Sequence, residues 1–204
     1  MLQADQLSYQ RSERRLWQDI QFELAPGKLL QITGPNGCGK TSLLRVLTGL
    51  APASTGAVYW QGRSICQQKM AYQQQMHYLG HQPAIKGELT VRENLQFNLA
   101  KVSAQSWLTA IAQVGLAEHI NHWGYQLSQG EKQRVALARL LQSGALLWIL
   151  DEPLAGLDAG MIETLQLIFA NHLQQGGMIV LTTHRPLTLA PLSHSQQLEL
   201  QRSI

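Results

Sequence analysis

Short apolar stretches alternate with turns over the first sixty residues of the chain. Pro26 with Gly27 marks one turn, and the small residues at 53–56 mark another. Between the turns, β-branched, aromatic and other apolar residues predict strands. The predicted strands lie at 2–9, 20–24, 29–33 and 57–60.

Helical periodicity takes over in the middle of the chain. Thr90 and Glu93 have the spacing of a capping box, which predicts a helix from there to about residue 100, and Ser103 is expected to cap a second helix that ends near Gly115. Two continuous apolar runs, 146–150 and 178–182, are typical of strands buried on both faces of a parallel sheet. The pattern therefore predicts an α/β fold with a mostly helical insertion.

Length and composition favour one domain. With 204 residues, 45% of them hydrophobic, the chain can bury a sizeable core, so we expect a single domain over 1–204 with a helical subdomain inserted at 83–145. The net charge of +3 is spread along the chain, which argues against a nucleic-acid partner. No apolar run approaches the ~18 residues of a membrane helix. The amino terminus lacks the pattern of a signal peptide, so we expect a cytoplasmic protein.

A glycine-rich loop between a predicted strand and a predicted helix has the pattern of a phosphate-binding loop. Its residues are Gly34, Pro35, Asn36, Gly37, Cys38, Gly39, Lys40 and Thr41, and Ser42 continues into the helix. Glycines let backbone N–H groups close around phosphate oxygens, and the helix dipole adds attraction. Lys40 is expected to reach the β- and γ-phosphates, and Thr41 to place its hydroxyl on Mg²⁺.

Polar residues also end the two later apolar strands. Asp151 and Glu152 follow the first strand, where ligands collect in open α/β sheets. We expect Asp151 to serve Mg²⁺ and Glu152 to polarise the attacking water. His184 follows the second strand and is expected near the γ-phosphate at the same sheet edge.

A second helix start that could hold an anion lies at Ser128, Gln129, Gly130 and Glu131. One nucleotide needs only one phosphate cradle, so this helix start would make sense if it faced a nucleotide held by another copy of the chain. Ser128 and Glu131 also have the spacing of a capping box, which would fold the carboxylate back onto the helix start and away from the nucleotide.

Taken together, these motifs and their order resemble the ATP-binding subunits of ABC transporters over nearly the whole chain. The resemblance implies a P-loop NTPase of the ABC ATPase type, with a mostly parallel core sheet, an antiparallel β subdomain and a helical signature subdomain. It implies ATP and Mg²⁺ as ligands and a head-to-tail homodimer that sandwiches ATP and works with integral membrane subunits at the cytoplasmic face of the inner membrane.

The same resemblance implies roles for particular residues. Glu152 matches the catalytic carboxylate and His184 the switch histidine, while Gln82 looks like the glutamine that bridges Mg²⁺ and the membrane-subunit contact. Ser128 and Gly130 match the signature residues that meet the partner's γ-phosphate. The family's usual signature has glycine and glutamine where this chain has Gln129 and Glu131.

The residue that stacks on adenine is left open by the sequence. In the family an aromatic residue near the amino terminus performs this role. Tyr9 is the nearest candidate, although a reading without gaps places Arg11 there. A tyrosine ring and a planar guanidinium can both stack on a base.

Within the family, four stretches resemble the ATP-binding subunits of bacterial cytochrome c maturation systems, which serve haem export or the handling of a haem carrier. The stretches are 31–37, 79–86, 147–153 and 181–187. Two alternatives remain at this point: a soluble ABC ATPase, such as one for iron–sulfur cluster assembly, and a nucleotide-sensing adaptor without turnover.

Overall fold

The computed structural model describes residues 1–11, 14–97, 104–183 and 195–201, which fold into two sheets and a set of helices. The strands are β1 (Leu2–Arg11), β2 (Arg14–Leu24), β3 (Leu29–Thr33), β4 (Thr55–Trp60), β5 (Arg63–Ser64), β6 (Met76–Leu79), β7 (Leu147–Asp151), β8 (Met178–Thr182) and β9 (Ser195–Glu199). The α-helices are α1 (Lys40–Leu47), α2 (Lys69–Gln75), α3 (Val91–Gln96), α4 (Ala104–Gln113), α5 (Gln129–Gln142) and α6 (Ala159–Gln174). Short 3₁₀ helices cover Ala117–His119 and Gly124–Gln126.

The two sheets differ in strand direction. One has the order β2-β1-β4-β5 and pairs its strands antiparallel. The other has the order β6-β7-β8-β3-β9, and its β7–β8, β8–β3 and β3–β9 pairs are parallel. Every residue of β7 and β8 is buried, as the continuous apolar runs predicted, although Leu146, the first residue of the predicted 146–150 run, precedes β7 and is exposed. The predicted α/β fold, with a mostly parallel core sheet and a separate antiparallel sheet, is confirmed.

The chain divides into two compact units. The first contains Met1–Tyr78, Ala145–Glu152 and Phe169–Ile204, and the second contains Leu79–Gly144 and Pro153–Ile168. Both sheets contribute to the core of the first unit, where α1 buries one apolar face; its core side chains there are Leu43, Leu44, Val46 and Leu47. Burial of one such leucine contributes roughly 1.5–3 kcal/mol relative to exposure. This packing holds α1 against the same core to which β3 contributes, so the loop between β3 and α1 has both of its ends anchored.

Capping boxes begin two helices of the second unit. Before α3, the Glu93 carboxylate accepts a hydrogen bond from the Thr90 N–H (2.7 Å), and the Thr90 hydroxyl accepts one from the Glu93 N–H (3.2 Å). The predicted start of this helix is therefore confirmed. The helix ends at Gln96, earlier than predicted, since Phe97 already has an extended conformation. The cap predicted at Ser103 lies outside the described residues.

Strand β9 has no counterpart among the predicted strands. Its sequence is polar and its residues are mostly exposed, yet it pairs in parallel with β3 along all five residues. Its backbone hydrogen bonds hold it at the sheet edge, and its half-buried Leu198 packs against the core of the first unit. In the described ranges, no helix is long and apolar enough to cross a membrane.

A histidine packs against a tryptophan in the first unit. The ring of His172, in the last turn of α6, lies flat on Trp148 of β7, with centroids 3.7 Å apart and 7° between the planes. Gly177 leaves the room for this, because a Cβ there would lie 2.2 Å from His172 Nε2. Burial lowers the pKa of His172 below its ordinary value of 6.5, and backbone hydrogen bonds at Leu146 and Met178 oppose that shift.

We expect this stack to make stability depend on pH. As pH falls through about 6.5, His172 in the unfolded chain takes up a proton that the folded protein resists, so the free energy of unfolding decreases. His172→Phe keeps an aromatic ring against Trp148 and removes the titration. Urea unfolding between pH 5.5 and 7.5 should give a flatter stability profile for this variant, with His81→Phe, an exposed site, as the control. Equal pH dependence in His172→Phe and the wild type would contradict the expectation.

Candidate functional site

The glycine-rich loop connects β3 to α1 at the carboxyl end of a parallel strand. Gly34 and Gly39 have φ angles of 147° and 100°, which favour glycine. A Cβ at Gly34 would lie 2.4 Å from the Leu200 carbonyl oxygen, so only glycine fits. Cys38 is buried in the core of the first unit, whereas Pro35 and the two residues after it, 36 and 37, are exposed. The loop therefore presents its middle to solvent and anchors itself through Cys38.

The start of α1 offers backbone donors. Gly39 occupies the N-cap position and no side chain caps this helix, which leaves its first N–H groups available to an anion. The buried indole of Trp17, on β2, donates from Nε1 to the Gly39 carbonyl at 3.3 Å. A Cβ at Gly39 would lie 2.9 Å from the same indole. Trp17 thus supports the loop from behind, a role that sequence reasoning missed.

Lys40 lies over its own loop. Its side chain is buried, and Nζ donates to the carbonyl oxygens of Gly34 at 2.7 Å and Pro35 at 3.4 Å. These two carbonyls therefore hold the ammonium group at the mouth of the loop. An ammonium has three donors, so it can also donate to phosphate oxygens placed in the loop.

Asp151, at the end of β7, joins α1 to β8. Its two carboxylate oxygens accept hydrogen bonds from the Thr41 hydroxyl at 2.7 Å and the Thr182 hydroxyl at 2.6 Å. Only 2% of Asp151 is exposed, so these donors satisfy a buried charge. Nearby Tyr78 has its pKa raised, first by burial and then by the charge of Asp151, while Arg45 acts in the opposite direction. The pair of Thr41 and Asp151 supplies the hydroxyl and carboxylate oxygens that Mg²⁺ prefers, so these residues fit that ion.

Glu152 follows Asp151 in an uncommon backbone conformation. Its φ of 51° is left-handed, and its N–H donates to the Thr182 hydroxyl at 2.9 Å. A non-glycine residue in this region stores strain that tends to occur at functional sites. Together with the loop, Glu152 lines a cavity of about 370 Å³ in the first unit. The cavity is lined by Arg11, Arg14, Leu16, Asn36, Gly37, Gly39, Lys40, Thr41, Ser42 and Glu152.

Residues of β1 and β2 contribute part of the lining of this cavity. Arg14 and Leu16 are two positions apart on β2 and so share one face of the strand. Tyr9 stacks on Trp17, with ring centroids 5.4 Å apart and planes 22° apart. Arg11 and Arg14 line the cavity, and Arg14 was missed by sequence reasoning. The choice of a base-stacking residue between Tyr9 and Arg11 stays a prediction.

The second unit contains the other candidate helix start. Ser128 caps α5: its N–H and hydroxyl both donate to Glu131 Oε2 at 2.7 Å, and its hydroxyl oxygen accepts from the Glu131 N–H at 3.3 Å. The second oxygen, Oε1, lies 3.1 Å from His119 Nε2. Bonds from Ser128 lower the pKa of Glu131, with smaller contributions from His119 and His122. The predicted capping box is therefore confirmed, and the carboxylate is folded back on the helix start.

Three of the predicted site residues, Gln82, Ser128 and Gly130, belong to the second unit, and Gln82 is exposed. His184 lies outside the described residues. In the first unit, the structure brings together the phosphate loop, Asp151 and Glu152.

Comparison with known proteins gives a consistent result. The sequence pattern of the ABC transporter family matches residues 17–155 of this chain. The cytochrome c biogenesis ATP-binding export protein CcmA of Yersinia pestis bv. Antiqua (strain Nepal516) is 48% identical over 190 residues, covering 92% of this chain and 87% of the relative. The CcmA protein of Escherichia coli (strain K12) is 46% identical, covering 93% and 92%.

Solved structures support the same fold. The dimeric bacterial ABC transporter cassette MJ0796 superposes with a TM-score of 0.84 at 21% identity, over all of this chain and 97% of that one. A bacterial Atm1-family ABC exporter with ATP bound gives a TM-score of 0.86 at 21% identity, over all of this chain and 38% of the exporter. The chain therefore belongs to the ABC transporter family and, within it, to the family of the cytochrome c biogenesis ATP-binding export proteins.

Proposed function

We propose that this protein is the ATP-hydrolysing subunit of an ABC transporter complex that serves the biogenesis of c-type cytochromes, by haem export or by handling of a haem carrier. The observation that carries ATP hydrolysis is the cavity where the phosphate loop meets Asp151 and Glu152. The pathway rests on the identity of 46–48% with relatives named for cytochrome c biogenesis and export.

The residues of the first unit can perform phosphoryl transfer to water mainly by positioning and charge stabilisation. Lys40 and the N–H groups at the start of α1 hold the β- and γ-phosphates, with Ser42 next to them. Thr41 and Asp151 would hold Mg²⁺, and the family resemblance gives Gln82 the same role. Mg²⁺, when bound, neutralises charge on the phosphate oxygens. Glu152 polarises the attacking water.

Two further contacts to the nucleotide complete this proposal. His184 contacts the γ-phosphate, as its place after β8 indicates. The base stacks on Tyr9 or on Arg11, and the place of Arg11 and Arg14 in the cavity wall supports an arginine in this role.

Turnover requires a second copy of the chain in this proposal. In a head-to-tail homodimer, Ser128 and Gly130 of one chain face the γ-phosphate held by the other. The dimeric state of the cassette MJ0796 supports this arrangement. The bonds that hold the Glu131 carboxylate against Ser128 keep a negative charge directed away from the nucleotide.

The membrane connection follows from the relatives. Proteins named as ATP-binding export proteins imply integral membrane subunits, so we place this chain at the cytoplasmic face of the bacterial inner membrane, without a nucleic-acid partner. Residues 83–145 act as the helical signature subdomain, and Gln82 lies at its border. A soluble ATPase for iron–sulfur cluster assembly is not favoured, because the similar relatives are export proteins. A nucleotide-sensing adaptor without turnover is not favoured either, because such a protein would not need Asp151 and Glu152 beside the phosphate loop.

Glu152→Gln tests the hydrolytic role. The amide keeps the size of the side chain but loses the charge that polarises water, so we expect ATP binding to persist while turnover falls by about a hundredfold or more. Size-exclusion chromatography with ATP and Mg²⁺ should show a trapped dimer. Phosphate release measures the rate, with Glu163→Gln, an exposed residue of α6, as the control. Wild-type turnover in Glu152→Gln would remove Glu152 from this role.

The signature is tested by two substitutions with opposite expectations. Ser128→Arg places a bulky cation where the partner's nucleotide must approach, so we expect loss of dimer closure and of turnover, with ATP binding retained. Glu131→Gln keeps an oxygen that can accept from the Ser128 N–H and removes the negative charge, so activity should be preserved or modestly raised. A loss of activity in Glu131→Gln would show that the charge itself is required.

The membrane partner can be identified by purification. We expect the tagged chain, extracted from detergent-solubilised membranes, to bring down a subunit with several membrane-spanning helices. Mass spectrometry identifies the partner, and the same tag on an unrelated cytoplasmic protein is the control. Recovery with soluble partners alone would favour the iron–sulfur alternative.

A further inference from the structure

The segment directly after Glu152 is hydrogen-bonded to α5, the helix that Ser128 caps, within the second unit. Gln133 is buried with 5% of its surface exposed, and its Nε2 donates to the Pro153 carbonyl at 3.1 Å. Pro153 is the residue that follows Glu152 in the chain. A buried amide bonded to one backbone carbonyl fixes the position of that carbonyl, because breaking the bond leaves two buried polar groups unsatisfied.

A second tie lies at the other end of the same segment, which we call the 153–158 loop. Arg134 forms an ion pair with Asp158 through Nη2, and its Nη1 donates to the Val114 carbonyl at 3.5 Å. Asp158 also accepts from the Met161 N–H at 2.9 Å near the start of α6. The bond from Met161 is the largest cause that lowers the pKa of Asp158, and the charge of Arg134 acts in the same direction.

The third tie is a close approach of two backbones. A Cβ added at Gly130 would lie 2.8 Å from the Gly156 carbonyl oxygen. Gly130 belongs to the first turn of α5, and Gly156 to the middle of the 153–158 loop. The loop is therefore held against α5 at its start, middle and end.

We propose that Gln133 and Arg134 are positioning residues for ATP hydrolysis, which fasten the 153–158 loop to α5 so that signature helix and loop move together. The inference rests on the proposed function, in which the start of α5 meets a nucleotide held by a second copy. Binding there then acts on the peptide directly after the chain's own Glu152. Packed side chains, hydrogen bonds and ion pairs can carry such coupling, and the three contacts between α5 and the 153–158 loop supply them.

The test compares two buried glutamines of the same helix. Gln133→Leu removes the donor to Pro153 while keeping an apolar side chain of similar size. Gln142→Leu is the matched control, since in the described part of the chain neither amide atom of buried Gln142 has a hydrogen-bond partner. We expect kcat for ATP to fall about tenfold in Gln133→Leu, with KM within twofold of the wild type, and no change in either constant for Gln142→Leu.

A double-mutant cycle tests the other end of the loop. Arg134→Met and Asp158→Asn each remove one charge, and the asparagine oxygen can still accept from the Met161 N–H. We expect each to lower kcat about threefold with little change in KM, and the double variant to be no worse than either single one, because both break the same pair. Arg134→Lys, which keeps the charge, should recover part of the loss.

The outcomes separate the inference from the function on which it rests. If Gln133→Leu retains the kcat of Gln142→Leu while Ser128→Arg still abolishes turnover, the tie has no part in hydrolysis and the inference is wrong. A loss that appears only in the melting temperature, with kcat unchanged, has the same consequence. If Ser128→Arg retains turnover, the proposed signature role fails first. The full chain is used throughout, with any membrane subunits that co-purify.

Discussion

The carboxylate of Asp151 is the group on which the arrangement of the site depends. An ionised carboxylate that is almost completely buried must have donors on both oxygens, and here they come from Thr41 on α1 and Thr182 on β8. Thr182 in turn accepts the N–H of Glu152. One buried charge therefore sets the positions of the phosphate loop, the next strand of the sheet and the backbone of Glu152. Loss of either hydroxyl donor would leave this charge with one oxygen unsatisfied.

Two side chains, Trp17 and Lys40, hold the conformation of the phosphate loop through hydrogen bonds to its carbonyl oxygens. Trp17 supports Gly39 from behind, and Lys40 bonds to the loop's own carbonyls, so the loop keeps its shape through protein contacts. Preorganised donors of this kind need little reorganisation when a phosphate arrives, which makes electrostatic stabilisation effective. The left-handed backbone of Glu152 adds a strained residue to the same cavity wall. Strain of this kind persists only when surrounding bonds determine the conformation, as the bond to Thr182 does.

The sequence predicted the parts of the protein that local patterns encode. Strands β3 and β8 were predicted with the bounds that the structure has, because β8 is a continuous apolar run and β3 lies between turn signals at Gly27 and Gly34. Strand β9 was missed, since its polar residues depend on the partner strand β3 for their backbone bonds. Trp17 and Gln133 were missed for a related reason: each resembles an ordinary strand or helix residue until the fold places a carbonyl beside it.

Glu131 lies where the family resemblance leads to glutamine, and the geometry of its carboxylate accounts for the difference. The helix dipole favours an acidic residue in the first turn, but the negative charge of that residue would repel a triphosphate. Glu131 has one oxygen bonded to Ser128 and the other 3.1 Å from His119 Nε2, so both of its oxygens have partners inside its own unit. Its lowered pKa follows from those bonds, which stabilise the ionised form and therefore strengthen the cap rather than a contact to a ligand. Glu131 thus preserves the start of α5, and the positions of Ser128 and of the hydrogen bond from Gln133 to Pro153 depend on that helix start.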